Sequence, residues 1–213
     1  MITKASRLLC PLLFAVVAGA GLADAAIPTG AENVVPLAVG VRAPAATVKT
    51  VDGADFDLEQ ALVNKPTVLI FYRGGWCPFC NRQLAGMQDY VAKFLALGYQ
   101  IMAVGTDKPE ELRATMTKDH LSYTLLSDRS MAAASAFKVA YRLSGQDETK
   151  YVAHNIAVPE IPGGVGGHWL PVPSIFIIGT DGVIKFVEFN PDIRVRPSPE
   201  EILAAATRVK TAP

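Results

Sequence analysis

Apolar residues follow two rhythms along this chain. Thr67-Val68-Leu69-Ile70-Phe71 and Gln100 to Gly105 are continuous apolar runs, with the length and β-branched content of buried strands. Between them Leu84, Met87, Val91, Phe94 and Leu95 recur three and four residues apart. That spacing predicts one helix from about Asn81 to a stop at Gly98. Pro109 to Asp119 is a second predicted helix, with Pro109-Glu110-Glu111 in its first turn, where a missing N–H and negative charge are both tolerated. Thr124 to Ser127 is a short third strand, and Ser130 to Phe137 another helix. Asp52-Gly53 within Thr47 to Leu58, and Thr180-Asp181-Gly182 between Ser174–Ile178 and Val183–Phe189, are hairpin signals. Pro199 to Val209 closes the chain as a helix.

Strand, helix, strand, helix, strand favours parallel pairing, and the later strand pair adds antiparallel neighbours. The order matches a thioredoxin-like fold of the α/β class, with a central mixed β-sheet flanked by helices on both faces. Such a sheet is expected to present its first strand-to-helix turn to solvent. Ser144 to Gly167 is polar, then rich in glycine and proline, without a clear period, and is too long for a plain connection. It reads as an active-site flap. No Lys-Ser or Lys-Thr follows its glycines, so a phosphate loop is discounted. Residues 26–45, with Pro28, Pro36, Gly40 and Pro44, read as an irregular leader wrapping the surface, and 46–213 as the domain proper. No internal repeat is visible.

The first residues stand apart. Lys4 and Arg7 precede an apolar run from Leu8 to Leu22, followed by Ala23-Asp24-Ala25, which together read as a secretory signal peptide over residues 1–25. A retained membrane anchor is the alternative, but Pro11 and Gly19 interrupt the run, which is short for a span of about 20 residues. Cys10 lies at the start of the run and not after it, against a lipoprotein reading. The expected location is periplasmic or secreted, with membrane contact only through this segment if it is uncleaved. Removing Lys4, Arg7 and Asp24 from 20 basic and 20 acidic residues leaves 18 and 19. A near-neutral chain offers no electrostatic case for nucleic acid or an acidic membrane as partner. Cleavage also removes one of three cysteines, leaving a lone pair in a compartment where disulfides persist.

That pair, Cys77-Pro78-Phe79-Cys80, falls at the end of the first buried strand and the start of a helix. A helix N-terminus stabilises a thiolate through unpaired N–H groups and the macrodipole, which suits Cys77 as nucleophile. Cys80, one turn on, is placed to close a disulfide onto it as resolver. Pro78 fits the first turn and stiffens the loop. Arg73 adds positive charge near the thiolate or caps the strand in solvent. Trp76 shields the sulfur, recognises a partner, or simply packs. Zinc would need two further ligands, yet the only histidines, His120, His154 and His168, are scattered, and there is no second Cys-x-x-Cys. A purely structural disulfide would gain little from so short a loop. Pro173, at the start of the Ser174–Ile178 strand, is expected to be cis and to lie across from the cysteine turn, where its neighbour's backbone pairs with an extended substrate. A trans edge-strand proline is the plainer reading. Neither metal nor cofactor is expected.

Phe71-Tyr72-Arg73-Gly74-Gly75-Trp76-Cys77-Pro78-Phe79-Cys80-Asn81 is similar to the signature of the peroxiredoxin-like branch of the alkyl hydroperoxide reductase and thiol-specific antioxidant family. Val41-Arg42-Ala43-Pro44, Leu170-Pro171-Val172-Pro173 and Asp181-Gly182-Val183-Ile184 resemble it too, so the likeness runs from about residue 40 to the C-terminus. The resemblance implies a thioredoxin-fold antioxidant. Cys77 would attack a hydroperoxide and become a sulfenic acid, Cys80 would resolve it, and an external dithiol such as thioredoxin would restore both. The chain departs from the family's pattern in two places. Gly74 and Ile70 stand where a Thr or Ser and a Pro are typical, and Val172-Pro173 replaces an arginine before the late strand. Arg73 or Arg142 would then have to polarise the peroxide. The Trp-Cys-Pro-x-Cys loop and the proline also resemble thioredoxin and the exported thiol reductases of cytochrome c maturation, which implies dithiol exchange with protein disulfides as the competing activity. A zinc- or thiol-binding module is the non-enzymatic alternative.

Overall fold

The protein is described here by a computed structural model covering residues 27–63, 65–156, 158 and 167–211. The signal segment 1–25 and the glycine-rich stretch 159–166 lie outside the described residues. The elements in chain order are β1 (Thr47–Lys49), β2 (Asp55–Asp57), α1 (Leu58–Leu62), β3 (Thr67–Phe71), α2 (Pro78–Gln88), α3 (Val91–Ala96), β4 (Gln100–Gly105) and α4 (Pro109–Lys118). They continue with β5 (Thr124–Ser127), α5 (Ala132–Ala136), β6 (Ala140–Arg142), α6 (Gly145–Ala153), β7 (Trp169–Pro171), β8 (Ser174–Ile178), β9 (Ile184–Phe189) and α7 (Pro199–Thr211).

A seven-stranded mixed sheet runs β2-β1-β5-β4-β3-β8-β9. β3 pairs parallel with β4, from Thr67 against Gln100 to Phe71 against Val104, and antiparallel with β8, from Thr67 against Ile178 to Phe71 against Ser174. Every residue of β3 and β8 is buried, because both are covered on both faces. Strand alternation sends Val68, Ile70 and Tyr72 into one layer and Leu69 and Phe71 into the other. The first layer packs on Leu84 and Met87 of α2, Phe94 of α3, Leu112 of α4 and Ile202 of α7. The second packs on Leu58 and Leu62 of α1 and Ala133 and Ala134 of α5. Each fully buried Leu, Ile or Phe contributes roughly 1.5–3 kcal/mol relative to an exposed one. A smaller cluster of Val34, Tyr141, Leu143, Leu170 and Val172 joins the leader to the β6–β7 ribbon.

The leader is tied down by backbone bonds. The Gly30 N–H donates to the Arg142 carbonyl, Leu37 to Phe137, Gly40 to Ile184 and Ala43 to Gly182. Order therefore begins well before Ala46.

Three expectations are corrected. The helix after the cysteines is two helices, because the Tyr90 N–H bonds the Met87 carbonyl only three residues back and breaks the four-residue ladder between them. Phe94 stays in the core, whereas Leu95 is 56% exposed. Ser144 to Gly167 contains a helix, α6, started by a local cap in which the Asp147 N–H donates to Ser144 Oγ and that hydroxyl donates to Asp147 Oδ2. Pro173 is trans, since no cis peptide occurs among the described residues. Val172 N–H bonds the Val139 carbonyl and Asn190 N–H the Pro173 carbonyl, so these two residues pass the chain from the β6–β7 ribbon into the seven-stranded sheet.

Gly105 ends β4 where the Tyr72 ring crosses it, and an added Cβ would fall 2.6 Å from Tyr72 Cε1. Gly105→Ala is expected to lower the free energy of urea unfolding by about 1–3 kcal/mol, as overpacking does. An unchanged midpoint would mean that Tyr72 has room to shift.

Candidate active site

The site grows from the C-terminal end of β3. Tyr72 extends the pairing by one residue, its N–H donating to the Val104 carbonyl. The chain then turns at Gly74, whose φ of 149 leaves the range of ordinary side chains. Gly75 donates its N–H to both carboxylate oxygens of Asp107, at 2.9 and 2.8 Å, and the Tyr72 hydroxyl donates to Asp107 Oδ2 at 3.1 Å. Thr106 Oγ1 donates to the Arg73 carbonyl at 2.6 Å, and Asn81 Nδ2 to the Gly75 carbonyl at 2.7 Å. The loop from 73 to 77 is thus bolted to the end of β4 on one side and to the first turn of α2 on the other. Burial pushes the Asp107 carboxyl up, and the Gly75 and Tyr72 donors oppose that shift.

Cys77 is the N-cap of α2, with Pro78 in the first turn behind it. Its thiol is brought down to about 6. The largest cause is a hydrogen bond from the Cys80 thiol; burial opposes it, and the Arg73 and Arg196 guanidinium groups assist. Cys80 is pushed well up by that same hydrogen bond and by burial. Both cysteines are free thiols. Of the two, Cys77 is therefore the thiol that ionises first, with the proton retained on Cys80. Contrary to the expectation of a solvent-facing turn, Cys77 is 1% exposed and Cys80 fully buried.

What covers them includes the other expected site residues. Arg73 is 2% exposed, with Cζ 4.8 Å from the Trp76 ring centroid and 5.1 Å from that of Tyr151 on α6. Trp76 and Tyr151 meet edge to face at 5.7 Å, enclosing the guanidinium between two π faces. Arg73 is therefore no solvent cap. Its Nε and Nη2 are buried without a hydrogen-bond partner. Trp76 joins the sheet core to the leader cluster. Pro173 sits beside Ser174, whose partner across the sheet is Phe71, so it lies at the same end of the sheet as the cysteine turn. Arg142, considered as a substitute cation, is instead turned toward Gly167, which also adjoins Glu148.

Sequence reasoning missed Arg196, Tyr151 and Asp107. Arg196 lies between β9 and α7, more than a hundred residues from the cysteines in sequence, and its positive charge favours the thiolate at both sulfurs. Tyr151 was hidden with its helix, although Ser144-x-x-Asp147 is a capping signal. His168, just before β7, is tied to α6, its N–H donating to Glu148 Oε1 at 3.0 Å. Among the described residues no group of three or more His, Cys, Asp or Glu side chains is placed to hold a metal ion.

Residues 39–187 match the AhpC/TSA family. Peroxiredoxin Bcp of Escherichia coli is 29% identical over 152 residues, covering 71% of this chain and 85% of that protein. The chloroplastic peroxiredoxin Q of Suaeda salsa is 33% identical over 165 residues, covering 76% of this chain and 66% of its own. Among solved structures, peroxidoxin BcpB from Mycobacterium tuberculosis aligns over 79% of this chain and 96% of its own, with a TM-score of 0.60 and 20% identity. Reduced Prx3 from Vibrio vulnificus, in complex with hydrogen peroxide, aligns over 80% and 99%, with a TM-score of 0.64 and 18% identity. These likenesses agree with the mixed sheet, the buried thiolate at a helix start and the family signature around it: the chain belongs to the AhpC/TSA family, as a peroxiredoxin-like protein of the thioredoxin-like superfamily.

Proposed function

We propose that this protein is a thiol peroxidase that reduces hydroperoxides through Cys77. The observation that carries the reading is the state of that sulfur: buried, held at a helix N-terminus, brought down to about 6, and next to a buried guanidinium with unused N–H groups. At pH 7 a thiol of that pKa is about nine-tenths ionised. The Cys77 thiolate attacks one oxygen of ROOH, the O–O bond breaks, and RO⁻ leaves as ROH with a proton. Cys77 becomes a sulfenic acid. Arg73 donors beside the sulfur meet the negative charge that develops on the departing oxygen, the task the family usually gives to other groups. The Cys80 sulfur, as thiolate, then attacks the Cys77 sulfur and hydroxide leaves as water, giving the Cys77–Cys80 disulfide. An external dithiol, thioredoxin-like in chemistry, returns the pair to thiols by exchange.

Burial also separates this reading from dithiol exchange with protein disulfides as the primary activity. Exchange needs a partner sulfur in line with the nucleophile, hence a protein chain at the sulfur. A peroxide needs only a small channel. Regeneration by a dithiol then requires the Trp76–Tyr151 pair and α6 to move aside at that stage. The reading includes export to an oxidising compartment, supported by the charged, apolar and Ala-x-Ala pattern of residues 1–25.

Titrating thiolate absorbance of the reduced protein is expected to show one transition near pH 6 that vanishes in Cys77→Ser. In Arg73→Met it should move upward by on the order of one unit, because the cation favours the charged form. The rate of oxidation by hydrogen peroxide should rise about tenfold per pH unit below that transition and level off above it, since only the thiolate reacts. Arg73→Met should slow it by about 10²–10³ at saturating pH, as loss of a transition-state donor does. Cys80→Ser should stop at a Cys77 sulfenic acid, seen as one added oxygen in the intact mass. A wild-type rate no better than that of a free thiol with the same thiolate fraction would sink the peroxidase reading and leave exchange as the activity.

A further inference from the structure

Arg73 lacks the partner that a buried guanidinium ordinarily has. It is 2% exposed, its Nε and Nη2 have no hydrogen-bond partner, and among the described residues it forms no ion pair. What surrounds the cation is aromatic: Cζ stands 4.8 Å from the Trp76 ring centroid and 5.1 Å from that of Tyr151. The two rings have different origins. Trp76 belongs to the cysteine loop itself, whereas Tyr151 comes from α6, far along the chain. The acidic groups at the start of α6 are used locally: Asp147 takes the Ser144 hydroxyl at 2.9 Å and Lys150 Nζ at 3.0 Å, and Glu148 Oε1 takes the His168 N–H at 3.0 Å. They anchor the helix and leave Arg73 to the rings. We propose that Tyr151 is a positioning residue for Arg73, its ring fixing the guanidinium against Trp76 so that the N–H groups stay open to the oxygens of the hydroperoxide; this deepens, and rests on, the peroxidase reading above.

A cation in a dry site can be held in two ways. A carboxylate would grip it tightly, but would also occupy its N–H groups and cancel most of its field. An aromatic face attracts the cation through its quadrupole and leaves the charge uncancelled. Nε and Nη2 therefore stay available, and the positive charge with them. The long arginine stem has many rotamers, so without such walls the guanidinium would sample many places around the loop. Fixing it before the peroxide arrives removes reorganisation from the moment at which negative charge develops on the departing oxygen. Position matters steeply here, since a displacement of about 1 Å can cost about 10²-fold in rate. Tyr151 is itself held in register with the loop by edge-to-face contact with Trp76 at 5.7 Å, and both rings pack on the cluster that contains Val34, Tyr141 and Leu143.

The test compares single variants with a double one. Each reduced protein is mixed with hydrogen peroxide at about pH 8, where the Cys77 thiol is ionised, and its oxidation is followed by timed quenching and intact mass. Tyr151→Leu keeps apolar bulk on the cluster but has no ring, and its oxidation rate is expected to fall by about 10–10²-fold. Tyr151→Phe should stay within about threefold of wild type, because it presents the same kind of π face. In an Arg73→Met background Tyr151→Leu should change the rate by less than about twofold, since a residue that acts only through Arg73 then has nothing to position. Plain loss of packing would slow both backgrounds alike. Tyr151→Met takes the place of the Leu variant if that one fails to fold. A wild-type rate in the folded Leu or Met variant, equal losses in Phe and Leu, or an undiminished loss in the Arg73→Met background overturns the inference and leaves the peroxidase reading intact. A wild-type protein oxidised no faster than a free thiol of the same thiolate fraction overturns both.

Discussion

The site depends on one buried carboxylate. Asp107 takes the Gly75 N–H on both oxygens and the Tyr72 hydroxyl on one, and it stands just past the end of β4. Without it the glycine pair after β3 would have many conformations and Cys77 no fixed place at the start of α2. Ser127 at the end of β5 holds the Asp107 carbonyl at 2.6 Å, so three parallel strands converge on one loop. The parallel order of β3, β4 and β5 brings those strand ends together, and so it matters to chemistry as well as to packing.

On that frame the sulfurs experience a contest between burial and charge. Cys80 is raised by its hydrogen bond to Cys77 and then by burial, since removing a thiolate from water disfavours it. Cys77 escapes because a neighbouring thiol donates to it, the helix start faces it, and two cations stand close. Arg73 in turn is kept from solvent by Trp76 and Tyr151, whose π faces partly replace water around the guanidinium. Closing off water strengthens each of these interactions, which a solvent-facing cysteine turn would dilute.

The architecture was legible where periodicity was unambiguous. The apolar runs of β3, β4 and β8, the Asp52-Gly53 and Thr180-Asp181-Gly182 turns, and the cysteines at a strand-to-helix junction all rest on local sequence alone. A spacing of three and four residues could not show the break between α2 and α3, because Phe94 and Leu95 are equally apolar and only one faces the sheet. The composition of residues 144–153 concealed α6, whose Tyr151 packs on Trp76 of the cysteine loop and on the cluster that joins the leader to the β6–β7 ribbon.

What the sequence determined by itself is the chemistry available: a cysteine pair one turn apart at a helix start, with Pro78 behind Cys77 and Arg73 and Trp76 just before it. Local spacing suffices there because every one of those relations spans fewer than ten residues. Tertiary structure alone decided which cations reach which sulfur. Arg142 was the more obvious substitute on paper, yet strand pairing places it in the β6–β7 ribbon beside Gly167, while the turn before the last helix holds Arg196, whose charge acts on both sulfurs. Charge acts through space, and a chain whose strand order differs from its sequence order places distant residues together without leaving any local mark of it.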